Sequence, residues 1–214
     1  MNINFHILKA SGRLTPYIEN INKICIETKE KVIAKLPFLD NVDVVVVDSP
    51  YYTISEIGIG GYARSQNFIE VSLNPDFPNF QQAVNQHLSG QLSHEFHHAI
   101  RMQTIGYGET LLEAMATEGL ADHFAYEIIG TKYFHPWNKA LTSKQIKTLL
   151  KRATEEYHNK TFNHSAWFFG SEEKRIPRWT AYTLGFNLVE NYLKTHPTMK
   201  ASTLYKTKAE EFLL

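Results

Sequence analysis

The chain has 214 residues, 43% hydrophobic and 21% charged, which are ordinary proportions for a globular protein. Its 22 Lys and Arg balance its 22 Asp and Glu, and a formal net charge of zero argues against a nucleic-acid or anionic-membrane partner. No stretch approaches the roughly 20 apolar residues of a membrane span, no basic-then-apolar start marks a secretory signal, and a single cysteine rules out an internal disulfide. Together these features favour the cytoplasm and a single domain over residues 1–214.

Thr15-Pro16 offers a helix start, a capping hydroxyl followed by proline. Ile18, Ile21, Cys25, Val32 and Leu36 then recur at helical spacing until Pro37. Cys25 falls on that apolar stripe and reads as a small buried hydrophobe rather than a nucleophile. Val42 to Val47 is short and β-branched, as a central strand requires. Ser49-Pro50 breaks it; Tyr51 to Ile59 and Phe68 to Leu73 read as further strands. Gly58-Ile59-Gly60-Gly61-Tyr62-Ala63 superficially matches a dinucleotide fingerprint, but a polar turn and a strand follow it instead of a helix. It reads instead as an edge strand, or the end of one, where another backbone comes close.

Asn79 can cap a long helix running to about Gln103, with Phe80, Val84, Leu88, Leu92, Phe96 and Ile100 at intervals of four. Within it stands His94-Glu95-Phe96-His97-His98. Helical positions four apart lie about 40° apart around the axis, one turn up. His94 and His98 can therefore hold one metal ion from one face, with Glu95 on the neighbouring edge as a proton acceptor. The chemistry needs these types: neutral imidazoles suit zinc, and a carboxylate can take a proton from a water. His97 lies off the axis of the pair, as an outer partner of the site or a solvent-facing residue. His87 is two turns earlier and is not placed in the site.

Gly106 and Gly108 break the helix and let a second one, about Glu109 to Ile129, fold back. Leu111, Ala114, Met115, Glu118, Ala121, Asp122 and Ala125 share one of its faces, and two carboxylates buried there without partners would be costly. His123 falls on another side. Gly130 to Leu141 reads as an aromatic loop. Ser143 to His158 reads as an amphipathic helix with Ile146, Leu149, Leu150 and Tyr157 inward. Phe162 to Pro177 is aromatic without a period, either a cleft wall or a cap on the core. Thr180 to Thr195 is a helix with Leu184, Leu188 and Tyr192 on one face, and Ser202 to Phe212 a short polar helix.

Taken together, H-E-x-x-H and the segment Thr117-Glu118-Gly119-Leu120-Ala121-Asp122 resemble the gluzincin, or thermolysin-like, metallopeptidases. A metzincin would need glycine at 101 and histidine at 104, where this chain has Arg101 and Thr104. More narrowly, His94 to His98 followed by Glu118 to Phe124 is similar to a bacterial family of small predicted zinc-dependent proteases. Segments like Trp167 to Gly170 and Tyr182 to Phe186 recur in that family. The resemblance implies a zincin-like α+β fold: a small mixed sheet packed on the H-E-x-x-H helix, then a mainly helical C-terminal part. It implies Zn2+ held by His94, His98 and Glu118, with Asp122 bonded to His94. It implies Glu95 as general base in hydrolysis of a peptide or protein substrate, whose extended chain pairs with an edge strand. It also asks for an oxyanion donor from the C-terminal part, and Tyr182 is preferred to His164 and Arg178. A hydrolase of non-peptide amides and a non-catalytic zinc-containing regulatory or binding protein remain open. Glu95 speaks against the latter, because structure alone does not need it.

Overall fold

A computed structural model describes residues 2–130 and 135–213. Four strands, β1 (Ile3–Ile7), β2 (Val42–Asp48), β3 (Ile59–Ser65) and β4 (Phe68–Leu73), form one mixed sheet in the order β1-β2-β4-β3. The valine-rich β2 is central, as its composition predicts: it runs parallel to β1 and to β4, while β3 closes the edge antiparallel to β4. The first strand had no sequence expectation. Its five residues carry too little pattern alone and become a strand by pairing with β2, Ile3 opposite Val42 and Phe5 opposite Val44. The strand expected over Tyr51 to Ile59 is absent. Pro50 opens a single 3₁₀ turn, Pro50–Tyr52, which leaves Tyr51 and Tyr52 exposed, and the chain regains extended pairing only through an Ile54–Ile59 bridge.

Among the described residues six α-helices complete the α+β architecture: α1 (Ile18–Lys35), α2 (Phe80–Met102), α3 (Leu111–Ile129), α4 (Ser143–Glu156), α5 (His164–Phe169) and α6 (Thr180–Thr195). Thr15-Pro16 makes a 3₁₀ turn ahead of α1, and no side-chain oxygen caps that helix. Cys25 is buried on α1 as expected, and burial pushes its thiol up to about 12. Asn79 precedes α2 in a left-handed conformation without a capping bond, whereas Thr110 and Glu113 form a full capping box at the start of α3. Leu150, expected inward, is exposed; Leu149 and Tyr157 hold α4 to the core. No helix among the described residues is long and apolar enough to cross a membrane.

The apolar stripe of α2 is buried from Phe80 to Ile100, and each such side chain contributes about 1.5–3 kcal/mol. This helix lies against β3 and β4 on one side and against α1 and α3 on others. Its far side holds the end of the chain: His97 Nε2 donates to the Ala201 carbonyl at 3.2 Å, and Arg101 donates to the carbonyls of Tyr205 and Thr207 at 3.3 Å. The expected polar helix over Ser202 to Phe212 is instead two 3₁₀ turns, Ala201–Thr203 and Ala209–Phe212. Leu204, Tyr205 and Phe212 are buried there, so packing against α2 and α3, not local periodicity, shapes this segment. Of the aromatic stretch 130–141, residues 131–134 lie outside the described residues; Pro136–Lys139 is a 3₁₀ turn with Trp137 and Asn138 buried.

α3 is clamped between α2 and α6, and glycine makes the second crossing close. A Cβ on Gly119 would lie 2.2 Å from the Gly185 carbonyl oxygen, and one on Gly185 would lie 2.1 Å from the Met115 carbonyl oxygen. Backbone must move to admit either methyl. Gly119→Ala and Gly185→Ala are each expected to destabilise the fold by about 1–3 kcal/mol, read from the urea midpoint at unchanged slope. Variants as stable as wild type would show that the helices separate freely.

Candidate metal centre

His94 and His98 sit one turn apart on α2, and Glu118 faces them from α3, all three buried. His94 Nε2 lies 2.9 Å from His98 Nε2 and 3.0 Å from Glu118 Oε2, and His98 Nε2 lies 3.4 Å from that same oxygen. Four ligands about 2.1 Å from a zinc ion in tetrahedral array are roughly 3.4 Å from one another. The triangle is thus close to the size that three such ligands need. His98 Nδ1 is buried without a hydrogen-bond partner among the described residues, so the triangle itself fixes that ring's polar end.

Electrostatics point the same way. Burial disfavours a charged His94, but Asp122 and Glu118 outweigh it and raise the imidazole pKa well above its usual value. Burial likewise disfavours a charged Glu118, yet His98 and His94 hold its carboxyl well below the usual range. The site therefore demands positive charge, and two nitrogens with a carboxylate oxygen are one of the donor sets that hold catalytic zinc. The residues fit a divalent ion. A second cluster, His94, Asp122 and His135, also brings three donor atoms within 4.8 Å of one another. Two donors hold its Asp122 as a partner for His94, however. His94 Nδ1 lies 2.9 Å from Asp122 Oδ1, while Trp137 Nε1 and Asn138 Nδ2 donate to Oδ2 at 3.0 and 2.7 Å. His135 stacks on Trp137 with ring centres 4.3 Å apart, and burial brings its pKa down to about 3, so it is neutral.

Glu95 is locked beside the triangle by the sheet. The Ala63 N–H on β3 donates to its Oε2 and the Gln91 amide to its Oε1, both at 2.8 Å. Gly61 makes the approach possible, since a Cβ there would lie 2.6 Å from Glu95 Oε1 and 2.8 Å from Gln91 Nε2. The Ile59 carbonyl accepts from Ile54 and the Ala63 N–H is turned to Glu95. On two-residue alternation the backbone groups of Gly61 face the same free edge. These elements floor a cleft of about 790 Å³ lined by Tyr52, Tyr62, Trp137, Phe169, Trp179 and Tyr182 among others.

The family model that matches residues 21–214 is described as "Predicted Zn-dependent protease". The chain belongs to that family. Two curated relatives of Bacillus subtilis (strain 168), both named only as uncharacterized proteins, are similar to it. YjfC is 24% identical over 151 residues, 65% of this chain and 49% of the relative, and YjaZ is 28% identical over 134 residues, 59% and 49%. The chain thus spans about half the length of the curated relatives it matches. No solved structure matches it.

The structure brings together His94, Glu95, His98, Glu118 and Tyr182 around one cleft, with Asp122 behind His94. His164 and Arg178 line the cleft too, but His164 is stacked on Phe168 at 4.4 Å and Arg178 is paired with Glu56 at 2.7 Å. His97 is neither an outer partner of the site nor solvent-facing; it is fully buried and serves the chain end. His123 stacks on Phe186 at 4.2 Å, away from the triangle. Sequence reasoning missed Gln91, Tyr107, Trp137 and Asn138. Gln91 is one turn before Glu95, a spacing that could have signalled it; the others lie in connecting segments with no periodic signal.

Asn138 offers a direct test of how Asp122 is held. It is buried and donates to a buried carboxylate, so Asn138→Ala should cost about 1.5–3 kcal/mol by urea unfolding. A loss below about 0.5 kcal/mol would leave Trp137 as sufficient support.

Proposed function

We propose that the protein is a zincin-like, zinc-dependent peptidase that hydrolyses peptide bonds. The observation carrying this reading is the buried triangle of His94, His98 and Glu118 with Glu95 fixed beside it at the floor of an open cleft. The small mixed sheet against α2, with a helical C-terminal part, supports the zincin-like reading of the fold.

His94, His98 and Glu118 would hold the ion, and Asp122 would keep the proton of His94 on Nδ1 so that Nε2 offers its lone pair. A bound zinc supplies Lewis acidity, lowering the pKa of a water and polarising the substrate carbonyl. An extended substrate would add along the free edge of β3 through the N–H and C=O of Gly61. Glu95, whose carboxylate Ala63 and Gln91 hold in place, accepts the proton of the attacking water and returns it to the leaving amine. Tyr182 donates to the developing oxyanion. Its ring packs against Trp137, Phe168 and Trp179. Burial, with Glu118, Asp122 and Glu95 nearby, drives its pKa well above the usual value and keeps the hydroxyl protonated.

The test is metal content per chain together with turnover of a mixed peptide library, with and without chelator. One zinc per chain is expected. Glu95→Gln should retain zinc and lose turnover by about 100- to 10,000-fold. Equal turnover in that variant, or full zinc affinity in Glu118→Ala, overturns the assignment. Asp122→Ala should weaken zinc binding by about 10- to 100-fold. Tyr182→Phe should lower kcat by roughly 10- to 1000-fold with zinc content intact; wild-type kcat there would remove Tyr182 from the reaction.

A further inference from the structure

Glu118 has two oxygens, and the structure treats them differently. Oε2 faces His94 and His98 at 3.0 and 3.4 Å. Oε1 is turned away and accepts a hydrogen bond from the Tyr107 hydroxyl. Tyr107 reaches this place from the connection between α2 and α3. Its neighbours Gly106 and Gly108 have φ of 88° and 107°, a region where side chains other than glycine's are strained. The Tyr107 carbonyl is pinned in turn: Thr117 Oγ1 donates to it at 2.8 Å, and Arg101 Nε donates to Thr117 Oγ1 at 3.1 Å. Thr117 directly precedes Glu118. Backbone and phenol of Tyr107 are therefore both fixed to the turn of α3 that carries the carboxylate. The ring centre lies 5.5 Å from that of His98, at the edge of the cleft.

We propose that Tyr107 is a positioning residue that holds Glu118 to one-oxygen presentation: the phenol binds Oε1 so that only Oε2 faces the metal. The inference rests on the metal reading above. Its physical basis is that a free carboxylate beside a divalent ion can turn and bind through both oxygens. That would occupy a coordination position that water and substrate need, since a catalytic zinc keeps an open site beside three protein ligands. A neutral hydroxyl suits the task. It occupies one oxygen's lone pair without cancelling the carboxylate charge that the ion requires.

The experiment compares Co2+-loaded wild type and Tyr107→Phe, a change that removes one oxygen and keeps the ring. Visible absorption reports the coordination of cobalt, and competition with a chelator reports affinity. Wild type should show the intense bands of a four-coordinate ion. Tyr107→Phe should show weaker bands as the second oxygen enters. Its affinity should fall by about 10- to 100-fold, the usual effect of losing a partner behind a ligand. A merely structural tyrosine would leave the bands unchanged, and unchanged bands in a folded Tyr107→Phe overturn the proposal whatever the affinity. Uptake of no Co2+ or Zn2+ by wild type overturns the metal reading itself, which separates the two failures.

Discussion

A carboxylate on α3 meets two imidazoles on α2 inside the fold, and much of the architecture follows from making that meeting possible. Two helices must approach closely and stay in register. The connection between them turns through two glycines of positive φ, and the capping box of Thr110 and Glu113 restarts the helix. From behind, α6 presses on α3 where Gly119 and Gly185 let backbones touch. On the far side of α2, His97 and Arg101 bind carbonyls of the chain end. The centre is thus braced from three directions. Interiors packed this densely transmit small displacements, so a change at the α3–α6 crossing acts on the triangle although it touches no member of it.

The sheet contributes through its edge. β3 is an edge strand, and an edge with unpaired backbone groups is ordinarily a liability. Here the edge lies over α2: the Ala63 N–H is spent on Glu95, and Gly61 brings the strand close enough for that bond. The strand that would read an extended substrate in the proposed function also fixes the carboxylate of Glu95, the proposed base. On that proposal recognition and proton transfer would be mechanically joined, and a strand displacement that spoiled one would spoil the other.

What the sequence showed was periodic. The interval of four from Phe80 to Ile100 placed α2 and put His94 and His98 on one face, and the β-branched run at Val42 to Val47 placed the central strand. Glu118 and Asp122 were legible through the resemblance to the gluzincin pattern, and the cost of burying carboxylates without partners agreed with it. What stayed hidden depends on tertiary partners. β1 is a strand because β2 is beside it. Ser202 to Phe212 takes its shape from the groove it fills. Trp137, Asn138 and Tyr107 sit in connecting turns, where nothing local says which way a side chain points. The failed strand at Tyr51 shows the same limit in reverse: aromatic residues with β propensity yielded to Pro50 and to the lack of a partner strand.

The three carboxylates of the centre share a pattern. Glu95 is held by a backbone N–H and an amide, Asp122 by an indole and an amide, Glu118 by a phenol. Every one of these donors is neutral, and among the described residues the ion-pair partners of Glu118 and Asp122 are histidines. A lysine or arginine would fix a carboxylate more strongly, but it would also cancel the charge and repel a cation. Neutral donors fix direction and leave the negative potential intact. Arg101, buried nearby, keeps to that logic: it is turned to Thr117 and to backbone carbonyls. The charge deficit at the centre is therefore built in and not incidental. A divalent ion held by His94, His98 and Glu118 would answer it.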